Sequence, residues 1–308
     1  VCSRGAYILQ KDLEDFELAC KDFLNIEYVF GVANGTDALI IGLKAMGVGE
    51  GDEVIMPSHT YIASAASVHL VGGKVILCEC GDDGMMDVND IEHRITTNTK
   101  AIMPVHINGR TCDMDPIGKI AKEHNLLIVE DAAQGFGSKY KNKSAGTFGS
   151  FGTISFYPAK LLGCFGDGGL IMTNDKVTAS KIALLRDHGR DENGNVIDWG
   201  LNSRLDNLQA AFLNHKLKSY GKDIKRRREI AEIYNDALCK NHNLKLPIGP
   251  SNGDHFDVYQ NYEIRAESRD ELKNFLTENG IGTIVQWAGT PVHQFKELGF
   301  STELKNTD

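Results

Sequence analysis

Lys160 stands apart from the other cations of the chain. In "SFYPAKLLGCFGDGG", Ser155 to Gly169, it is the only cation, and no other charge appears until Asp167. A strand-like run, "GTISFY", leads into it, and a cluster of glycines follows. An amine held in an apolar setting loses its proton more readily and becomes a nucleophile. An acid, Asp131, ends the apolar run "LLIVED"; a carboxylate at such a tip needs a cationic or hydrogen-bonding partner. "NGTDAL" follows "YVFGVA" and opens a helical pattern. Its Gly35 allows close backbone approach, and the free N–H groups of a helix start favour an anion such as phosphate. "PSHTY" ends a further strand-like run with Thr60 and the aromatic Tyr61. Each feature has a plain alternative: a solvated lysine, a strand-end cap, an ordinary turn, a core tyrosine. Together they supply an amine, an acid, an aromatic plate and a phosphate cradle completed by the Ser155 hydroxyl. Those are the parts that pyridoxal phosphate (PLP) chemistry uses: a Schiff-base lysine, an acid on the pyridine nitrogen and a stacked ring.

These residues sit at the ends of short β-rich runs: "YVFGVA", "DEVIMP", "KVILCE", "AIMPVH", "LLIVED", "GTISFY" and "GLIMTN". Helical patterns lie between several of them, at residues 38–46, 60–71 and 116–124. Strands alternating with helices predict an α/β fold with a mostly parallel sheet. Such a sheet is covered on both faces, which accounts for the continuous apolar strands. In it, ligands bind beyond the carboxyl ends of the strands, where the four motifs lie. A long helix is expected from "NSRLDNLQAAFLNHKL" through "KDIKRRREIAEIYNDAL", with Lys225–Arg228 as a solvated face. After Leu246, "NYEIRA", the helical "SRDELKNFLTENG" and "TIVQW" predict a smaller α+β unit. The expected division is a large domain over 1–215 and a connecting helix with a small C-terminal domain over 216–308.

Composition narrows the class. The 308 residues are 42% hydrophobic and carry a formal net charge of −9 with no strongly basic face, which argues against a nucleic-acid partner. No run is long enough to span a membrane, and no signal peptide opens the sequence. The seven cysteines are scattered; Cys78 and Cys80 form a lone C-x-C, read as a reduced apolar pair rather than a metal site. A cytoplasmic protein with free thiols is expected.

The ordered set "NGTDAL", "PSHTY", "VEDAAQ", "SFYPAKLLGCFGDGG", "RDHGR" and "GLNSRLDNLQAA" resembles the DegT/DnrJ/EryC1/StrS family of sugar aminotransferases, over nearly the whole chain. The resemblance implies a three-layer α/β/α PLP-transferase large domain (fold type I, aspartate-aminotransferase-like) and a smaller α+β domain. It implies that Lys160 is the Schiff-base lysine, that Asp131 binds the pyridine nitrogen and that Gln134 lies near the ring hydroxyl. Tyr61 would stack on the ring, and Gly35, Thr36, Asp37 and Ser155 would hold the phosphate. Asn202, in "NSR", would reach the phosphate of a partner subunit's cofactor in a homodimer with shared sites; its plainer role is a cap on the long helix. His106 and His188 are read as structural. His293 matches the last residue of the family's "H-Y-P-x-P-x-H" segment, which approaches the sugar nucleotide. Here "WAGTPVH" departs from that pattern, with Trp287 and Ala288 at the first two positions. Relative to the family, residues are expected to be missing at both ends. The implied activity is transfer of an amino group from glutamate to a nucleotide-linked keto sugar. The alternatives are a PLP-dependent dehydratase or aromatizing enzyme of the same family, and a non-catalytic PLP-fold binding protein. Dehydratases of the family replace the lysine with histidine, so Lys160 argues against a dehydratase, whereas aromatizing relatives keep the lysine.

Overall fold

A computed structural model describes residues 1–250 and 253–308. All seven β-rich runs pair into one sheet. The strands are β1 (Tyr28–Val32), β2 (Glu53–Pro57), β3 (Lys74–Cys78), β4 (Thr99–Ile102), β5 (Leu127–Asp131), β8 (Phe151–Ser155) and β9 (Gly169–Thr173), in the order β1-β9-β8-β5-β4-β2-β3. Two short strands, β6 (Lys139–Tyr140) and β7 (Lys143–Ser144), lie in the β5–β8 connection and pair outside this sheet. The β3-β2-β4-β5-β8 pairings are parallel, and only β9 runs against its neighbours.

The alternation of strand side chains builds the layers. Val54 and Met56 of β2 enter one core with α2 (Gly35–Ala45), α3 (Ile62–Leu70) and α6 (Lys176–Leu185). Ile55 points the other way, into a core with α4 (Val88–Arg94) and α5 (Met114–Glu123). On that second face α1 (Lys11–Leu24) and α7 (Asn207–Leu238) cover β8 and β9 through Phe16, Leu24, Leu213 and Tyr220. Both faces of the sheet are thereby dry, as its unbroken apolar strands require.

The long helix α7 runs unbroken through residue 215, so the division expected there falls inside one element. Beyond it lie the two-residue strands β10 (Leu244–Lys245), β11 (His255–Phe256) and β12 (Arg265–Ala266), and α8 (Arg269–Glu278). Two expectations are corrected. "TIVQW" forms no strand: among the described residues only β10 pairs with β12, no sheet edge receives 283–287, and Trp287 and Ala288 take positive φ values. Lys225–Arg228 is not simply a solvated face. The Arg227 guanidinium donates to the Tyr259 and Gln260 carbonyls, and that of Arg228 to Asp257 and Pro250. Lys225, Arg226 and Arg227 are exposed, as a solvated face requires, but Arg227 and the half-buried Arg228 also satisfy carbonyls of a crossing segment.

All seven cysteines are free. Cys78 and Cys80 are buried, and burial pushes both thiols up, that of Cys80 to about 11. Among the described residues no helix is long and apolar enough to cross a membrane.

Candidate active site

β5 and β8 are parallel neighbours, so their carboxyl ends bring Asp131 and the loop after Ser155 to one edge of the sheet. Lys160 lies on that loop, partly buried. Burial lowers its ammonium below the ordinary lysine range, and the nearby Asp131 carboxylate pulls in the opposite direction. An amine that reacts with a carbonyl carbon needs this balance: unprotonated often enough to attack, yet close to a counter-charge.

Asp131 is 5% exposed, and both of its oxygens are engaged. Ser64, one turn into α3, donates its hydroxyl to Oδ2 at 2.7 Å, and the Ala133 N–H donates to Oδ1 at 3.1 Å. Ser64 is itself steadied by Thr60, Oγ1 to Oγ 2.8 Å. The carboxylate is thus aimed by its own chain, with charge-assisted bonds offsetting its burial.

The neighbouring acid has a different task. Glu130 is fully buried and accepts from the N–H groups of Gly146, Phe148 and Gly149. His106 lies 2.9 Å from it through Nε2. The Cys112 N–H donates to His106 Nδ1, so the ring hydrogen belongs on Nε2 and points at Glu130. This pair braces the loops behind the site; it is the structural role read for His106.

The cradle forms where the start of α2 meets the end of β8. Asn34 caps the helix by accepting from the Asp37 N–H at 2.8 Å. The N–H groups of Gly35 and Thr36 precede the first intrahelical bond, from Ala38 to Asn34. A Cβ at Gly35 would stand 3.0 Å from Ser155 Cβ, and one at Gly169 would strike the Asn34 carbonyl carbon at 2.6 Å. Missing side chains at these two positions let the helix start lie against Ser155. The Asp37 N–H is already taken by Asn34, so Asp37 does not offer the free donor that Gly35 and Thr36 do.

Tyr61 lies at the N-terminus of α3, 57% exposed rather than in the core. Trp287, the residue that departs from the family pattern, packs beside it at 6.4 Å between ring centroids and 5.2 Å from His59. Gln134 accepts from the Asn108 N–H at 2.6 Å through Oε1, which leaves its amide NH2 to face elsewhere. His188 is exposed, with a positive φ, in the turn after α6.

Two residues are not gathered with the rest. Asn202 does not cap α7, whose N-cap is Asp206; its segment bridges Asp187, and its exposed side chain bonds to no described residue. The adjacent Ser203 accepts from the Ala33 N–H, tying this segment to the approach to the cradle. His293 is buried, with Nδ1 2.8 Å from Ser58 Oγ and Nε2 2.8 Å from Asp308. Both ring nitrogens are engaged, and His293 pins the end of β2. A cleft of ≈ 830 Å3 opens next to Trp287 and is lined by charges of both signs, Arg265, Arg269 and Lys273 with Glu263, Glu267, Asp270, Glu271 and Asp308.

Ser64, Asn108 and Gln260 escaped the sequence reading. Ser64 had a signal in its i+4 spacing from Thr60 on the helix that follows "PSHTY". Asn108 and Gln260 had none, because their partners lie 26 and about 100 residues away.

The model of the DegT/DnrJ/EryC1/StrS aminotransferase family matches residues 1–308. The chain belongs to this aminotransferase family. It is 38% identical over 294 residues to the dTDP-3-amino-3,4,6-trideoxy-alpha-D-glucose transaminase of Streptomyces venezuelae, covering 95% of this chain and 77% of that one. Its fold matches S. venezuelae DesV, solved in complex with a ketimine intermediate. The TM-score is 0.94 at 37% identity, covering 99% of this chain and 81% of the other. It also matches NtdA of Bacillus subtilis with the cofactor PMP bound, TM-score 0.91 at 31% identity, over 100% of this chain and 72% of that one. The three-layer PLP-transferase fold and the aminotransferase class expected from the motifs are those of these relatives.

Proposed function

We propose that this aminotransferase uses PLP to move an amino group from glutamate to a nucleotide-linked keto sugar. The observation that carries the reading is the Lys160 amine, its pKa lowered by burial, beside an Asp131 carboxylate oriented by Ser64 and Ala133. The residues present fit the cofactor. Lys160 would hold its aldehyde carbon and Asp131 its ring nitrogen. Tyr61 supplies a ring face. The free N–H groups of Gly35 and Thr36 and the Ser155 hydroxyl would hold its phosphate, next to a helix start that favours anions. When bound, the cofactor supplies an electron sink for the α-carbon of the amino donor. Lys160, once free, would be the base that takes the proton from the donor's α-carbon and, in the second half-reaction, the acid that protonates the sugar carbon receiving the nitrogen. Asp131 keeps a negative charge at the ring nitrogen throughout.

The substrate class rests on the relatives' names and on the cleft beside Trp287. The cleft carries acids as well as cations, and Arg269 is paired with Asp270 at 2.8 Å, so Arg265 and Lys273 are the cations that would meet the diphosphate of a nucleotide sugar. A homodimer with shared sites is part of the reading. Phe165, 76% exposed, stacks on Phe212 at 3.8 Å, and Tyr157 and Trp199 are exposed as well. Phe165 and Tyr157 lie on the loop that carries Lys160, and aromatic surface of this kind suits a covering second copy. Asn202, exposed and bonded to no described residue, would reach that copy.

The test is incubation of the PLP-loaded protein with glutamate and a panel of dTDP-, UDP- and GDP-keto sugars, with products read by mass. An amino sugar and 2-oxoglutarate are expected. A sugar that has lost water without gaining nitrogen, or a visible band that glutamate does not bleach, would overturn the reading.

A further inference from the structure

The loop that carries Lys160 has few bonds of its own. The Lys160 N–H reaches the Tyr157 carbonyl at 2.8 Å, and Cys164 closes the loop onto Phe156 at 2.9 Å. The peptide groups on either side of Lys160 find their partner elsewhere in the chain, in one side chain. Gln260 accepts from the Leu161 N–H at 2.7 Å through Oε1 and donates to the Ala159 carbonyl at 2.9 Å through Nε2. A primary amide carries a donor and an acceptor side by side, as a peptide does. Gln260 therefore stands in for the strand partner that this loop lacks, and its two bonds bracket Lys160.

The clamp is itself held. Arg227 of α7 donates to the Tyr259 and Gln260 carbonyls at 2.9 and 3.0 Å. Val258 donates to Gly109 at 2.8 Å. A Cβ at Gly109 would stand 2.7 Å from the Gln260 nitrogen, so the close approach needs glycine there. Asn261 donates through Nδ2 to Asn108 Oδ1 at 3.0 Å, and the same Asn108 holds Gln134. Residues 258–261 thus touch both the lysine loop and the Asn108 segment. They are fixed by a helix that belongs to the large core.

We propose that Gln260 is a positioning residue for Lys160: it fixes the backbone on both sides of the lysine, and so sets where the amine stands. This rests on the reading that Lys160 holds the cofactor. Without the amide, the Ala159 and Leu161 peptide groups turn to water and the amine samples many positions. Capture of an aldehyde then slows, while the phosphate cradle, built from other elements, is untouched.

The experiment uses the cofactor-free protein and the variants Gln260→Ala and Gln260→Glu, each with and without Lys160→Ala. Gln260→Glu keeps the shape and the acceptor but sets a carboxylate oxygen against the Ala159 carbonyl. Two quantities are measured. One is the rate at which the visible band of lysine-held PLP grows. The other is the affinity for pyridoxamine phosphate, which has no aldehyde and cannot react with lysine. Both Gln260 variants should capture PLP about tenfold more slowly or worse, the alanine by losing two neutral hydrogen bonds and the glutamate by losing one and setting two oxygens against each other. Their affinity for pyridoxamine phosphate should be unchanged. In the Lys160→Ala background, adding Gln260→Ala should leave PLP affinity where Lys160→Ala alone puts it. Capture by both variants at the parent rate, or an equal loss of pyridoxamine phosphate affinity, would overturn the positioning role. If Gln260→Ala fails to fold, the result with Gln260→Glu decides. Failure of the parent protein to capture PLP at Lys160 would instead overturn the cofactor reading on which the proposal rests.

Discussion

Replacing Asp131 by Asn separates chemistry from fold. The carboxylate is buried and accepts from Ser64 and from Ala133. An asparagine oxygen can keep the Ala133 bond, and its NH2 then faces Ser64 Oγ. The serine can turn its hydroxyl hydrogen toward Thr60, 2.8 Å away. Shape is conserved and one charge-assisted bond becomes a neutral one, so the loss of stability should be about 1–2 kcal/mol. The loss of charge is felt more strongly by the chemistry. Two opposite unit charges about 4 Å apart at an effective dielectric of about 20 attract by about 4 kcal/mol, which is about 10³ in rate. The glutamate half-reaction should therefore slow by on the order of 10²- to 10³-fold. A second readout is specific to this site. Burial lowers the Lys160 amine and the Asp131 carboxylate raises it. Removing that charge leaves burial unopposed, so the amine should lose its proton at a still lower pH. The pH profile of PLP capture should move toward acid. Stopped-flow absorbance against pH gives both numbers, and a melting curve gives the stability. Turnover at the parent rate, or a profile moved toward alkaline pH, would refute the assignment.

Three further outcomes follow from the geometry. Glu130→Gln sets an amide NH2 against backbone N–H donors in a fully buried pocket, so stability should fall by about 3–5 kcal/mol; an unchanged urea midpoint would show that Glu130 is not the brace described. Gly35→Val puts a branched side chain where a Cβ already stands 3.0 Å from Ser155 Cβ; pyridoxamine phosphate affinity, read by titration, should fall by roughly tenfold or more with the fold kept, as overpacking of about 1–3 kcal/mol would give. Asn202→Ala should loosen the cofactor, and mixing an inactive Asn202 variant with Lys160→Ala should restore activity, because each hybrid dimer has one site with both residues intact. No recovery in proven hybrids, or an active monomer, would sink the shared site.

The central sheet was legible because its inner strands, such as β2 and β9, are buried on both faces and so read as short apolar runs. Lys160 drew notice as a lone cation in an apolar stretch, whereas nothing in the pair Glu130–Asp131 showed locally which acid turns to the site and which to the buried brace. The hidden parts are those in which a side chain completes the hydrogen bonding of distant backbone. Gln260 reaches about 100 residues back to the lysine loop, and Arg227 looked like one more exposed cation on a charged helix. "TIVQW" has strand-like composition, yet no sheet edge among the described residues receives it. Trp287 instead turns toward His59 and Tyr61. Pairing partners and long-range acceptors are tertiary facts, and local pattern carries no trace of them.

The most direct measurement is chemical trapping. The PLP-loaded protein is reduced with borohydride and digested, and the phosphopyridoxyl group is located by mass spectrometry; a second sample is treated with glutamate before reduction. The expected result is a single modified residue, Lys160, in the first sample and its loss in the second. Labelling of another lysine, or a Lys160 adduct that glutamate does not displace, would contradict the assignment of Lys160 as the residue at which cofactor and amino donor exchange.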